Sequence, residues 1–199
     1  MTATAPAPRD RIVEAAEAQF RRFGYRRTTV EDITAGAGTG KGSLYLHFDS
    51  KEAVYLAVVE ASLERFVETA TATLRGQGSV TRRLSALVEA TAEHYGRDEL
   101  LRASLVGESH LVDGRVAALA AEIQRTRIRR LLADIIDEGR RAGTVRSDLD
   151  PETAAAVLFE MGWGVVRAGL EDVTGVPLDV ALANLNDIVG RGIRNPKRR

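Results

Sequence analysis

The chain is 199 residues long, 44% hydrophobic and 28% charged, with 28 Lys/Arg against 28 Asp/Glu and no cysteine. That composition fits an ordinary globular protein and excludes disulfides and thiolate metal sites, and no stretch approaches the ~18 uninterrupted apolar residues of a membrane span. The zero net charge hides an uneven distribution: residues 1–51 carry 8 Lys/Arg and 6 Asp/Glu, residues 52–190 carry 15 and 22, and residues 191–199 carry 5 and none. The acidic middle is therefore the part least suited to lie against phosphate.

The first ten residues, MTATAPAPRD, hold no apolar run for a signal peptide, so a cytoplasmic location is expected. Pro6 and Pro8 keep this leader out of helix until about Arg9. From there helical spacing runs almost unbroken and strand signals are nearly absent. Ile12, Ala16, Phe20 and Phe23 mark a first helix, closed by Gly24. Thr28 or Thr29 caps a second, with Thr28 and Glu31 as a capping box, and Gly38 supplies a left-handed turn. The third helix spans Lys41 to Phe48 and turns Leu44 and Phe48 inward.

Asp49, with Glu52 three residues on, starts a long fourth helix that breaks at Gly76-Gln77-Gly78. At about 1.5 Å per residue it is roughly 35 Å long, enough to connect two distant sites. Leu84 to Tyr95 marks a fifth helix and Leu100 to His110 a sixth. A seventh runs from Asp113-Gly114 to near Gly143. Asp150-Pro151 is an N-cap followed by proline at the first helical position, opening an eighth helix that reaches Leu170. Pro177 starts the last, with Leu178, Leu182, Leu185, Ile188 and Val189. The expected fold is all-α, with about nine helices.

The stretch from Thr28 to Lys51 is the most informative. Its glycines at 36, 38, 40 and 42 beside Lys41 suggest a phosphate loop, but the spacing excludes one. A Walker loop needs glycine where Ala35 stands, and Ser or Thr where Gly42 stands. Helix, tight glycine turn and second short helix instead describe a helix-turn-helix, which lays its second helix in the DNA major groove. Gly40 or Thr39 caps that helix, and Gly42 lets its surface approach a groove edge closely. Thr39, Lys41 and Ser43 lie at the end that reaches bases, while Tyr45, His47 and Lys51 offer donors to phosphates.

On Gly24-Tyr25, Thr28-Thr29-Val30, Asp32-Ile33, Ala37-Gly38, Lys41 to Tyr45, His47-Phe48 and Ser50 to Glu52, the chain resembles the tetracycline-repressor (TetR) family of transcriptional regulators. The motif resemblance covers roughly residues 6–66, with the helix-turn-helix itself at 29–48. It implies a DNA-binding domain over 6–66 and a helical effector-binding and dimerisation domain over 67–199. Carried over by position, it implies phosphate contacts from Thr29, Tyr45, His47 and Lys51, and base reading from Thr39, Gly40, Lys41, Gly42 and Ser43; Thr28 is counted with them as a DNA-binding residue. The family's usual turn pair, an apolar residue followed by Ser, is Thr39-Gly40 here. The resemblance further implies a homodimeric repressor that binds a palindromic double-stranded operator and is released by a small molecule.

Elsewhere no catalytic constellation, metal site or cofactor is expected. His94, Glu108, His110, Glu160 and Trp163 are the polar and aromatic groups placed to line an effector pocket, whose ligand is expected to be largely apolar. The arginines at 125, 127, 129 and 130 occupy several faces of one helix and read as a solvated surface. The eighth helix is apolar around most of its circumference and must be buried on more than one side. Ala155, Phe159, Gly162 and Val166, with Leu182, Leu185 and Val189 on the last helix, are the expected dimer interface. A helical enzyme or carrier, and an adaptor with a vestigial helix-turn-helix, are the alternatives.

Overall fold

The computed structural model describes residues 7–74, 78–106, 112–170, 173 and 175–196. Among them lie nine helices: α1 (Pro8–Arg27), α2 (Val30–Gly36), α3 (Lys41–His47), α4 (Lys51–Leu74), α5 (Val80–Arg97), α6 (Glu99–Val106), α7 (Gly114–Arg141), α8 (Pro151–Leu170) and α9 (Leu178–Ile193). Extended pairing among the described residues is confined to an isolated antiparallel bridge between Val145 and Arg194. No helix of the described residues is long and apolar enough to cross a membrane. Glu108 and His110 lie outside the described residues.

Helix boundaries follow local chemistry, with three departures from expectation. Gly24 does interrupt α1, at φ 75° and ψ 163°, but the chain resumes one more helical turn to Arg27 beyond that kink. The capping box of α2 is Thr29 with Asp32, not Thr28 with Glu31. The Asp32 N–H donates to Thr29 Oγ1 and the Thr29 N–H to Asp32 Oδ2. The cap of α4 is Ser50, whose Oγ accepts from the Ala53 N–H at 3.1 Å, so Asp49 stands one residue outside it.

The chain divides into two compact units, residues 1–64 with 98–124, and residues 65–97 with 125–199. In the first, Ile12, Ala16, Phe20, Ile33, Leu44, Phe48, Val54 and Tyr55 are buried. Phe20, Tyr25 and Tyr55 meet at ring separations of 5.2–5.8 Å, two of the three contacts edge-on. Phe23, which shares the apparent stripe of α1, is exposed because the kink begins at the next residue. Asp98 caps α6 through the Leu101 N–H and also accepts from Arg21 of α1 and Ser62 of α4.

The second unit has its own core of Phe66, Leu74, Leu84, Leu87, Ile128, Leu132, Ile135, Ile136, Ala155, Phe159 and Ile193. This packing takes five of the seven expected dimer-face residues into the protomer's own interior. Ala155, Phe159, Val166, Leu182 and Leu185 are buried inside their own protomer, with Gly162 and Val189 partly so. Periodicity shows that α8 has two apolar sides but not which of them packs inward. The side left exposed carries Val157 and Met161, beside Ile188 of α9.

Candidate nucleic-acid interface

The turn between α2 and α3 is built by Gly38, at φ 62°, a conformation that costs a residue with a Cβ. Hydrogen bonds from Gly38 N–H to Ala35 O and from Thr39 N–H to Thr34 O close it. Gly40 is the N-cap of α3 and contributes no side-chain cap bond. Leu44 and Phe48, both buried, fasten α3 to the unit, and the Arg9 guanidinium lies 5.2 Å from the centre of the Phe48 ring. The opposite face of α3 is open. Lys41, Gly42, Tyr45, Leu46 and His47 are exposed, and Thr39 and Ser43 are partly so.

The expected contact set divides once its surroundings are known. Thr29, at the α2 cap, is exposed, as are Gly40 to Gly42, Tyr45 and His47, with Thr39 and Ser43 partly so. Thr28 does not belong with them. It is 1% exposed, and its Oγ1 donates to Gly24 O at 2.9 Å, closing the end of α1. Lys51 is likewise turned inward. Its Nζ donates to Tyr25 O and Thr28 O, both at 2.9 Å, and sits 4.3 Å from the centre of the Tyr25 ring. Two of its three donors thus hold the last turn of α1, and burial lowers its pKa. Thr28 is thus buried away from the open face, while Lys51, half-buried, commits two donors to the chain, and both complete the turn that Gly24 opens.

Lys41 forms an ion pair with Glu31 of α2. The hydrogen bond between them lowers the Glu31 carboxyl pKa and raises that of the Lys41 ammonium. Leu46, outside the expected set, is 84% exposed. Its signal was present in the sequence: at helical spacing it falls opposite the inward pair Leu44 and Phe48.

Of the expected effector-pocket residues, His94 stacks on Phe66 at 4.5 Å and lines a cleft of about 330 Å³ between α4 and α5. Trp163 meets Tyr95 edge-on at 6.1 Å. Glu160 is exposed and lies 3.6 Å from Arg125, in a surface ion pair. Among the described residues, no group of three or more His, Asp or Glu side chains is placed to hold a metal ion.

Residues 12–58 match the model of bacterial regulatory proteins of the tetR family, and residues 77–167 match the tetracyclin repressor-like C-terminal domain. The HTH-type transcriptional repressor KstR2 of Rhodococcus jostii is 31% identical over 164 residues, covering 80% of this chain and 78% of the relative. The chain belongs to the tetR family. It is a helix-turn-helix transcriptional regulator and not an enzyme. A second relative of this TetR-family regulator, the repressor DhaR of a Mycobacterium species, is 30% identical over 182 residues, 86% of each chain. The fold is shared with FadR of Bacillus subtilis in complex with stearoyl-CoA, at a TM-score of 0.68 and 18% identity over 93% of this chain and 99% of that one.

Proposed function

We propose that this regulator is a homodimeric repressor which binds a palindromic operator and is released by a small, largely apolar effector. The observation that carries the DNA-binding part is the open face of α3. Lys41, Ser43, Tyr45 and His47 surround a ridge without bulky polar groups, and Thr29 stands at the α2 cap. In this reading Thr29, Tyr45 and His47 hold phosphates, and residues Thr39 to Ser43 meet base edges. Residues 6–66 act as the DNA-binding domain and 67–199 as the dimerisation and effector domain. Thr28 and Lys51 position this surface rather than touch the operator.

Dimerisation is supported by the apolar side of α8 and α9 that the protomer leaves open. Val157 and Met161 stand one turn apart on α8, and with Ala154, Leu158, Ile188 and Val189 they line a groove of about 480 Å³. A second copy covers this groove, so the interface is self-complementary, as a two-fold axis requires. The two recognition helices then address half-sites about 34–36 Å apart.

For the effector, the α4/α5 cleft offers Phe66, Ala70, Leu74, Ala86 and Ala90 beside Thr69, Thr73, Glu93, His94 and Arg97. An apolar body with a polar end suits that lining, and stearoyl-CoA, bound by the FadR relative, is a molecule of that kind. The effector releases DNA by binding better to a conformation whose recognition helices no longer fit the operator. Fluorescence anisotropy with the DNA upstream of the protein's own gene tests the proposal. Sequence-selective, salt-dependent binding is expected, and equal affinity for that fragment and a scrambled one would sink it.

A further inference from the structure

The structure assigns Leu46 a part in base reading: it recognises the 5-methyl group of a thymine on the major-groove floor. This rests on α3 being the groove-entering helix, as proposed above. At about 100° per residue, the point of α3 directly opposite buried Leu44 falls between Gly42 and Leu46, at roughly 160° and 200°. These two residues, one turn apart, are the outermost ridge of the helix. Lys41 and Tyr45 flank it on one side, Ser43 and His47 on the other.

Neither ridge residue is explained by the fold. Leu46 is the most exposed large hydrophobic side chain described, at 84%, on a helix whose other outward side chains are polar or charged. Gly42 lies inside α3, where glycine destabilises a helix relative to alanine. A Cβ built on Gly42 meets nothing within 4 Å, and the residue lacks the positive φ that would require glycine. Its bareness therefore serves something outside the chain. A missing side chain at 42 lets the helix axis approach the base edges closely. Leu46 then enters the groove with no donor or acceptor to offer. The apolar group that projects from a major-groove base edge is the thymine methyl; the donors and acceptors of the other edges are atoms that Leu46 would bury unpaired.

The test uses the full-length protein and an operator selected by it from random duplex DNA. Each thymine of one half-site is replaced in turn by deoxyuridine, which removes the methyl alone, and affinity is measured by anisotropy. For the wild-type protein, at least one replacement should weaken binding about threefold to fivefold, the worth of one buried methyl group. Leu46→Ala, at an exposed position that tolerates truncation, should bind the thymine and deoxyuridine operators alike. Gly42→Ala should fold normally and bind the unmodified operator more weakly. Wild-type affinity indifferent to every replacement, or a Leu46→Ala protein that keeps the full thymine preference, would overturn the assignment while leaving the helix-turn-helix reading intact. Failure to select any sequence would overturn both.

Discussion

Arg21 grips Asp98 with both terminal nitrogens, Nη2 to Oδ2 at 2.7 Å and Nη1 to Oδ1 at 3.2 Å, across 77 residues of chain. The Asp98 side chain is 7% exposed and also accepts the Ser62 hydroxyl at 2.9 Å and the Leu101 N–H at 3.2 Å. One carboxylate therefore caps α6 and fastens it to α1 and α4. Breaking a buried pair leaves a charge unpaired, although Arg21, 38% exposed, is partly screened by water. Asp98→Asn should lower the unfolding free energy by about 1–3 kcal/mol, read from urea denaturation at pH 7. A change below measurement error would show the pair to be incidental.

The same carboxylate sets a pH dependence. Burial by itself raises the Asp98 pKa, but hydrogen bonds from Arg21 and Ser62 and the Arg21 charge outweigh it and hold it below the ordinary 3.8. A carboxyl whose pKa is depressed by folding contributes stability that is present above its unfolded value and lost as pH falls through the folded one. The stability gap between wild type and Asp98→Asn should stay constant from pH 7 to pH 5 and narrow only below about 3.8. A gap that narrows between pH 7 and 5 would contradict the depressed value.

Lys51 and Lys41 should part company in salt titrations. Lys51 is committed to Tyr25 O and Thr28 O, so Lys51→Met should cost about 1 kcal/mol of stability and leave the salt slope of DNA binding unchanged. Lys41 is exposed on α3 with Glu31 as its partner. Lys41→Ala should reduce the slope of log K against log salt by about 1. The opposite pattern would return Lys51 to the operator.

The two sides of α8 should respond differently to charge. Val157→Asp with Ile188→Asp places carboxylates on the open apolar groove and should yield folded monomers in sedimentation velocity. Phe159→Asp puts one in the core of the second unit and should unfold it, read as loss of the cooperative thermal transition. A dimer that survives the first pair of substitutions would remove this groove as the interface.

The nine helices and the helix-turn-helix were legible in the sequence because turn chemistry and apolar spacing are local signals. Gly38 and Asp150-Pro151 mark their elements where the structure has them, whereas Gly24 marks a kink three residues before α1 ends. What was not legible depended on which neighbour a side chain meets. Thr28 and Lys51 carry the right functional groups at the right spacing, yet the turn after Gly24 brings carbonyls that claim both. On α8, periodicity identifies two apolar sides equally well, and only the packing of Phe159 and Ala155 shows which is inward. Leu46 illustrates the reverse case, an apolar residue off the inward stripe whose position alone marks an outward face.

The most direct test of the account is the affinity of Lys41→Ala/Tyr45→Ala for the fragment upstream of the protein's own gene, measured beside wild type at one salt concentration. Both residues are exposed on α3, so the variant should keep the wild-type helix content and sedimentation coefficient while losing sequence-selective binding. A variant that still prefers this fragment over scrambled DNA as strongly as wild type does would contradict the placement of the operator on α3.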